Sequence, residues 1–336
     1  QTNSTLTLTG VTSADAGTYN VVANNSVGGP TASSASTLTV QVLPAAAYEN
    51  TVLADDPLAY YPLNEPSGSL IVYDMASGFN GTNQGGATFV SGVPNPPFAG
   101  FSGSEMGFET TYSSVGSWAT APFGKLGINN VTFTAWIYPM GKQTNWAGIV
   151  VSRTGGAEGG FGYNDAGMLD YTWNNGSTWS FHSGLVIPSN QWSFVAMVIQ
   201  PTEASLYLYN TNGMASTNNV AAHTPDVFGN HWHIGNDAAS ADPTRTFNGI
   251  IDEVAIYAHS LTPAQIQQLY SVGATGVAGP IEITIERSGP NVILNWPTGT
   301  LLEATNLAGP WTTDGATAPY TVAPSGSQKF YRVRIP

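Results

Sequence analysis

The chain of 336 residues is long enough for two or three domains, each with its own core. Its charged fraction of 9% stands against roughly 25% in ordinary soluble domains, and 38 glycines and 22 prolines favour strands and turns over exposed helices. A formal charge of −13 argues against nucleic acid and anionic lipid as partners, and the absence of cysteine excludes disulfides, thiolate zinc and cysteine nucleophiles.

An aromatic fraction of 11% marks a chain with a core to bury rather than a disordered one. No run of 18 apolar residues occurs, so no membrane insertion is expected. In chain order, the first 43 residues read as short strands between turns: Thr5 to Leu8, Thr18 to Ala23 and Ser36 to Val42. The run LTGVTSADAGTYNVVANNSVGG resembles the end of an immunoglobulin-like domain. The resemblance makes Tyr19 the tyrosine corner, with Asp15 and Gly17 in the turn before it. Val21 stands where the family has a cysteine, so apolar packing is expected to replace the bridge. Three strands leave a sheet edge uncovered. Either the stretch is a partial module of a longer chain, or a neighbouring subunit completes it and the protein self-associates into polymers by strand addition.

Residues 44–47 read as a linker. Beyond it, strands recur every 10 to 15 residues with turn signals between them, which is a sandwich rhythm. One segment reads as helical: Thr262 is an N-cap, Pro263 lies in the first turn, Ile266, Leu269 and Tyr270 share a face, and Gly273 is placed to end the helix. Six segments carry a second resemblance: AYYPLNEPSG from Ala59, YDMASGFNG from Tyr73, VTFTAWIYP from Val131, IPSNQWSFVAMVI from Ile187, LYLYNTNG from Leu206, and FNGIIDEVAIYAHSLTPAQI from Phe247. In that order they resemble a laminin-G-like, concanavalin A-like jelly roll. The expected fold class is therefore all-β, with a partial immunoglobulin-like module at 1–43, a jelly-roll sandwich at 44–276 and a small β module at 277–336. The last, with NVILNWPTGTLLEATNLAGPW, YTV and QKFYRVR, resembles a module found at the C-terminal ends of large secreted bacterial surface proteins.

Asp252 lies in the strand Ile250 to Tyr257, where plain alternation puts it on the apolar face with Ile250, Val254 and Ile256. A carboxylate there needs backbone donors, a cation or a proton. Calcium wants several oxygens at once. By resemblance to laminin-G-like domains, Glu65, Asp74 and Asp252 are expected to hold a structural calcium ion, with carbonyls of Ser77 or Gly78. The competing reading makes Asp74 an Asx turn and has Asp252 and Glu253 capping a loop through backbone N–H groups.

A glycan site needs aromatic faces and polar groups. Tyr171, Trp173 and Trp179 supply the first, and Asp170 supplies the second, with Trp146 a weaker candidate in a Gly- and Asn-containing loop. Core packing accounts for the same alternating aromatics. The sequence has no ExDxE or ExDxxE pair, no GxSxG and no Walker loop, so no catalytic machinery is visible. The expected protein is a non-catalytic, secreted, extracellular adhesion or carbohydrate-binding protein of a bacterial cell surface, with glycans or other surface proteins as partners. A self-assembling filament or sheath subunit is the alternative.

Overall fold

A computed structural model describes residues 6–8, 11–24, 27–40, 46–91, 98–101, 106–111, 118–121, 127–153, 159–173, 178, 181–227, 232–237, 243–277, 283–296, 300–324 and 328–334. The chain falls into two compact units, Gln1–Ala45 and Ala46–Pro336. In the first, Gly17–Tyr19 pairs with Ser36–Leu38, and Val22–Ala23 with Thr31–Ala32. The Tyr19 hydroxyl donates to the Asp15 carbonyl at 2.6 Å. Val21 differs from expectation. It is 70% exposed, so it does not replace a bridge by packing within this unit.

The second unit is built on two facing antiparallel sheets. One runs, strand by strand, Gly213–Asn219, Glu203–Asn210, Ser193–Gln200, Val131–Pro139, Gly249–Tyr257, Met106–Thr110 and Thr88–Ser91, with Ala59–Tyr61 also pairing with Gly249–Tyr257. The other runs Leu169–Trp173, Gly159–Tyr163, Gly148–Ser152, Trp232–Ile234, Trp118–Ala121, Gly81–Gln84 and Ile71–Val72. Between them lies one apolar core that includes Phe133, Phe161, Tyr171, Trp173, Trp232 and Val195. This is the concanavalin A-like jelly roll: each sheet turns one row of apolar side chains inward and combines local hairpins with pairs between strands distant in sequence.

Two helices belong to the same unit. In α2 (Pro263–Thr275), Thr262 caps the N-terminus through Gln265. The helix runs through Gly273 and ends at Gly276, which adopts φ 71°. Gly273 serves packing instead. A Cβ there would sit 2.6 Å from the Trp136 ring, so the glycine lets α2 approach the sheet. The other helix, α1 (Ala47–Ala54), begins on the last residue of the expected linker and runs into the stretch before Ala59, where the sequence predicts no helix. Its segment carries Asn50, Thr51 and Val52, which are poor helix formers, and no side-chain cap. Tertiary burial of Tyr48, Glu49 and Val52 holds it instead.

Trp136 is buried, but not in the core between the sheets. It faces the helices, with the rings of Tyr48, Phe98, Phe101, Phe194 and Tyr270 at centroid distances of 5.0 to 6.2 Å. Residues 283–334 add two three-stranded sheets around Leu294, Trp296 and Leu301. Among the described residues, no helix is long and apolar enough to cross a membrane.

Candidate functional site

The face of Asp252 is not the expected one. Pairing between Val131–Pro139 and Gly249–Tyr257 slips between Thr134 and Trp136, and Glu253 takes φ 55°. This β-bulge shifts the alternation by one residue. Ile251, Val254 and Ile256 consequently point into the inter-sheet core, while Asp252 stands beside its cross-strand partner Trp136 on the helix-covered face. The Asp252 carboxylate accepts the Glu253 N–H at 3.0 Å, and the Tyr60 hydroxyl donates to Glu253.

Asp74 is satisfied by the chain itself. One oxygen accepts from the N–H groups of Tyr60 (2.8 Å) and Ala76 (3.0 Å), the other from those of Ser77 (3.2 Å) and Phe79 (2.9 Å). Glu65 accepts the Tyr73 N–H at 2.7 Å, and its Oε2 has no hydrogen-bond partner among the described residues. Glu65, Asp74 and Asp252 therefore share a neighbourhood of buried backbone without converging: among the described residues, no group of three or more acidic or histidine side chains is placed to hold a metal.

The aromatic candidates separate by face. Tyr171 and Trp173 point into the core, 3% and 2% exposed, so neither offers a ring to a ligand. The Tyr171 hydroxyl contacts His223 Nε2 at 3.0 Å, and the Trp173 indole N–H donates to the Thr224 carbonyl at 2.8 Å. Trp179 lies outside the described residues. Asp170 and Thr172, on the opposite face of the same strand, border a depression on the outside of the seven-stranded sheet.

Gly148, Gly160 and Gly162 line that depression together with Arg153, Asp237 and Trp146. The glycines are required by close backbone approach: a Cβ on Gly160 would fall 2.2 Å from the Val150 carbonyl oxygen, and one on Gly162 would fall 2.4 Å from that of Ala147. Trp146 takes φ 65°, a left-handed conformation that costs a bulky residue roughly 1–2 kcal/mol and marks a position held by its surroundings. The loop carrying it is fixed by Gln143, which bonds the backbone of Asn248 in both directions at 2.7 and 2.8 Å.

The Asp237 carboxylate accepts from Arg153 on one side and from Arg245 at 3.3 Å on the other. Burial pushes the Asp170 carboxyl up to about 7, against the lowering pull of the Tyr171 N–H and the Asn164 amide. The depression encloses only about 30 Å³, but beside it opens a cleft of about 330 Å³ between Lys142, Gln143, Asn145, Asp165 and Ser189. That volume lies at the lower end of small-ligand sites, which span about 300–1,000 Å³.

Burial also pushes Glu65 up to about 7. A carboxyl whose folded pKa is raised favours the protonated fold, so the unfolded chain releases its proton first and stability falls as pH rises from about 4.5 to about 7. In urea titrations at pH 5 and pH 8, the expected loss attributable to Glu65 is on the order of 2 kcal/mol. Glu65→Gln keeps the oxygen that accepts the Tyr73 N–H and should remove that part of the pH dependence. An unchanged pH dependence would contradict the assignment.

The fold is an all-β, concanavalin A-like sandwich. Residues 113–267 match the Laminin_G_3 family, the concanavalin A-like lectin/glucanases superfamily. Among solved structures, domain 4 of AbnA, an extracellular arabinanase from Geobacillus stearothermophilus in complex with arabinotriose, is similar at 18% identity over 64% of this chain and 98% of that one, with a TM-score of 0.44. Trypanosoma rangeli sialidase is similar at 13% identity over 65% of this chain and 33% of its own length, with a TM-score of 0.44. A botulinum neurotoxin type C structure described as dependent on two ganglioside molecules for cell entry follows at 12% identity, 75% and 66% coverage, and a TM-score of 0.45. No curated protein gives a significant match.

Proposed function

We propose that this chain is an extracellular, non-catalytic carbohydrate-binding protein of a bacterial surface, and that its ligand lies across the outer face of the seven-stranded sheet. The observation that carries the reading is Trp146: a half-buried indole held in a strained backbone conformation that lines the glycine-lined depression, next in sequence to Asn145 of the polar cleft. An aromatic beside convergent amides, hydroxyls and carboxylates is what a sugar ring requires, since its C–H face wants an apolar platform and its hydroxyls want hydrogen-bond partners. The family match over residues 113–267 supports the same class.

The carboxylates of the depression support binding over hydrolysis. Asp237 is occupied by two guanidinium groups, and Asp170 by the Tyr171 N–H and the Asn164 amide, so neither is arranged as the unencumbered acid and nucleophile pair of a glycosidase. On a glycan array, the wild-type protein is expected to bind a discrete set of oligosaccharides without releasing product. Trp146→Ala should weaken that binding at least about tenfold while leaving the melting temperature within a few degrees. Equal binding by the variant would refute the site.

A further inference from the structure

We infer that the preferred ligand is an acidic glycan, one whose sugars carry carboxylate or sulfate groups. The inference rests on the binding reading above and concerns the chemistry of the same cleft. Four basic side chains occur in residues 46–277: Lys125, Lys142, Arg153 and Arg245. Lys125 lies outside the described residues, and the other three are gathered at this one site. Lys142 is exposed and lines the cleft, Arg153 lines the depression, and Arg245 meets Arg153 at the Asp237 carboxylate. The segments are tied together: the Thr144 hydroxyl donates to the Thr244 carbonyl at 2.5 Å, and the Asp237 N–H donates to the Arg245 carbonyl at 3.2 Å.

In a chain with a formal charge of −13, such a gathering is the one described place in residues 46–277 where an anion meets cationic groups instead of repulsion. Among the described residues, the charges that oppose it are Asp165 in the cleft, Asp170 in the depression and Asp237 between the arginines. The described set Arg153–Asp237–Arg245 holds two guanidinium groups against one carboxylate. Lys142 and Asp165 line the same cleft, one charge of each sign. Burial favours the neutral form of Asp170, so the formal sum over the described residues of the site is positive at and below neutral pH.

The test uses matched pairs that differ only in charge: tetragalacturonate against its methyl ester, and a sulfated chondroitin tetrasaccharide against its desulfated twin. Isothermal titration is expected to give the acidic member of at least one pair about tenfold tighter binding, falling with added salt. Preference within the first pair assigns carboxylate, and within the second assigns sulfate. Lys142→Gln should remove most of the acidic preference, read as the ratio of affinities within each pair, which a general loss of binding would leave unchanged. Neutral twins bound as tightly as acidic ones would overturn the inference and leave glycan binding standing. Failure to bind any member, with no hit on a broad glycan array, would overturn both.

Discussion

Asp74→Ala is expected to destabilise the sandwich by about 3–5 kcal/mol, because it strands four backbone donors that no nearby side chain replaces. The carboxylate is 6% exposed, and its two oxygens take the N–H groups of Tyr60, Ala76, Ser77 and Phe79, which fold one loop around one residue. Asp74→Asn keeps one acceptor oxygen and should cost about half as much. Urea denaturation of the three proteins reads the order directly. The same bonds bear on calcium. A carboxylate already saturated by backbone donors has little left for a cation, so melting with and without EDTA is expected to give the same transition. A chelator-dependent drop would restore the metal reading for Glu65, Asp74 and Asp252.

The second large effect is expected at Gly160. Its φ of 145° is open to glycine and strained for any other residue, and an added Cβ would also lie 2.6 Å from the Val151 Cα across the strand pair. Backbone atoms cannot rotate away as a side chain can, so Gly160→Ala should cost about 3–5 kcal/mol, clash and strain together, and disrupt the floor on which a ligand would lie. Gly167→Ala separates the two causes. Gly167 has φ 76° with open space around it, so its substitution should cost only about 1 kcal/mol. Equal costs at the two positions would mean that close strand approach is not what Gly160 serves.

Much of the jelly roll was readable because its strands announce themselves. Val131–Pro139 and Ser193–Gln200 are long apolar runs, and the Thr262 cap with its helical spacing places α2 within a residue of its observed start. The bulge at Glu253 was not readable. A single left-handed residue inside an otherwise regular strand leaves no mark in the alternation, yet it moves Asp252 to the other face of the sheet. Helix α1 was hidden for a different reason: its stability comes from what Tyr48 and Val52 meet in space, and Asn50, Thr51 and Val52 at its centre are poor helix formers.

The site was half legible. Alternation along Leu169–Trp173 separates Tyr171 and Trp173 from Asp170 and Thr172, but it does not say which face looks inward. The aromatics carry the stronger signal, and they belong to the core. The face proposed for the ligand is the other one, where the signal is weak: glycines, two aspartates and a loop tryptophan. The Arg153–Asp237 pair, 84 residues apart in sequence, becomes visible only once Gly148–Ser152 and Trp232–Ile234 are neighbours in one sheet.

The most direct measurement of the central claim is a side-by-side titration of wild type, Trp146→Ala and Trp173→Phe against the best glycan found on the array. Both tryptophans lie in the same sandwich, but only Trp146 borders the outer depression, and Trp173 is enclosed between the sheets. The predicted result is an affinity lost by about tenfold or more in Trp146→Ala and retained in a folded Trp173→Phe. Retention in the first with loss in the second would place the ligand elsewhere and contradict the account.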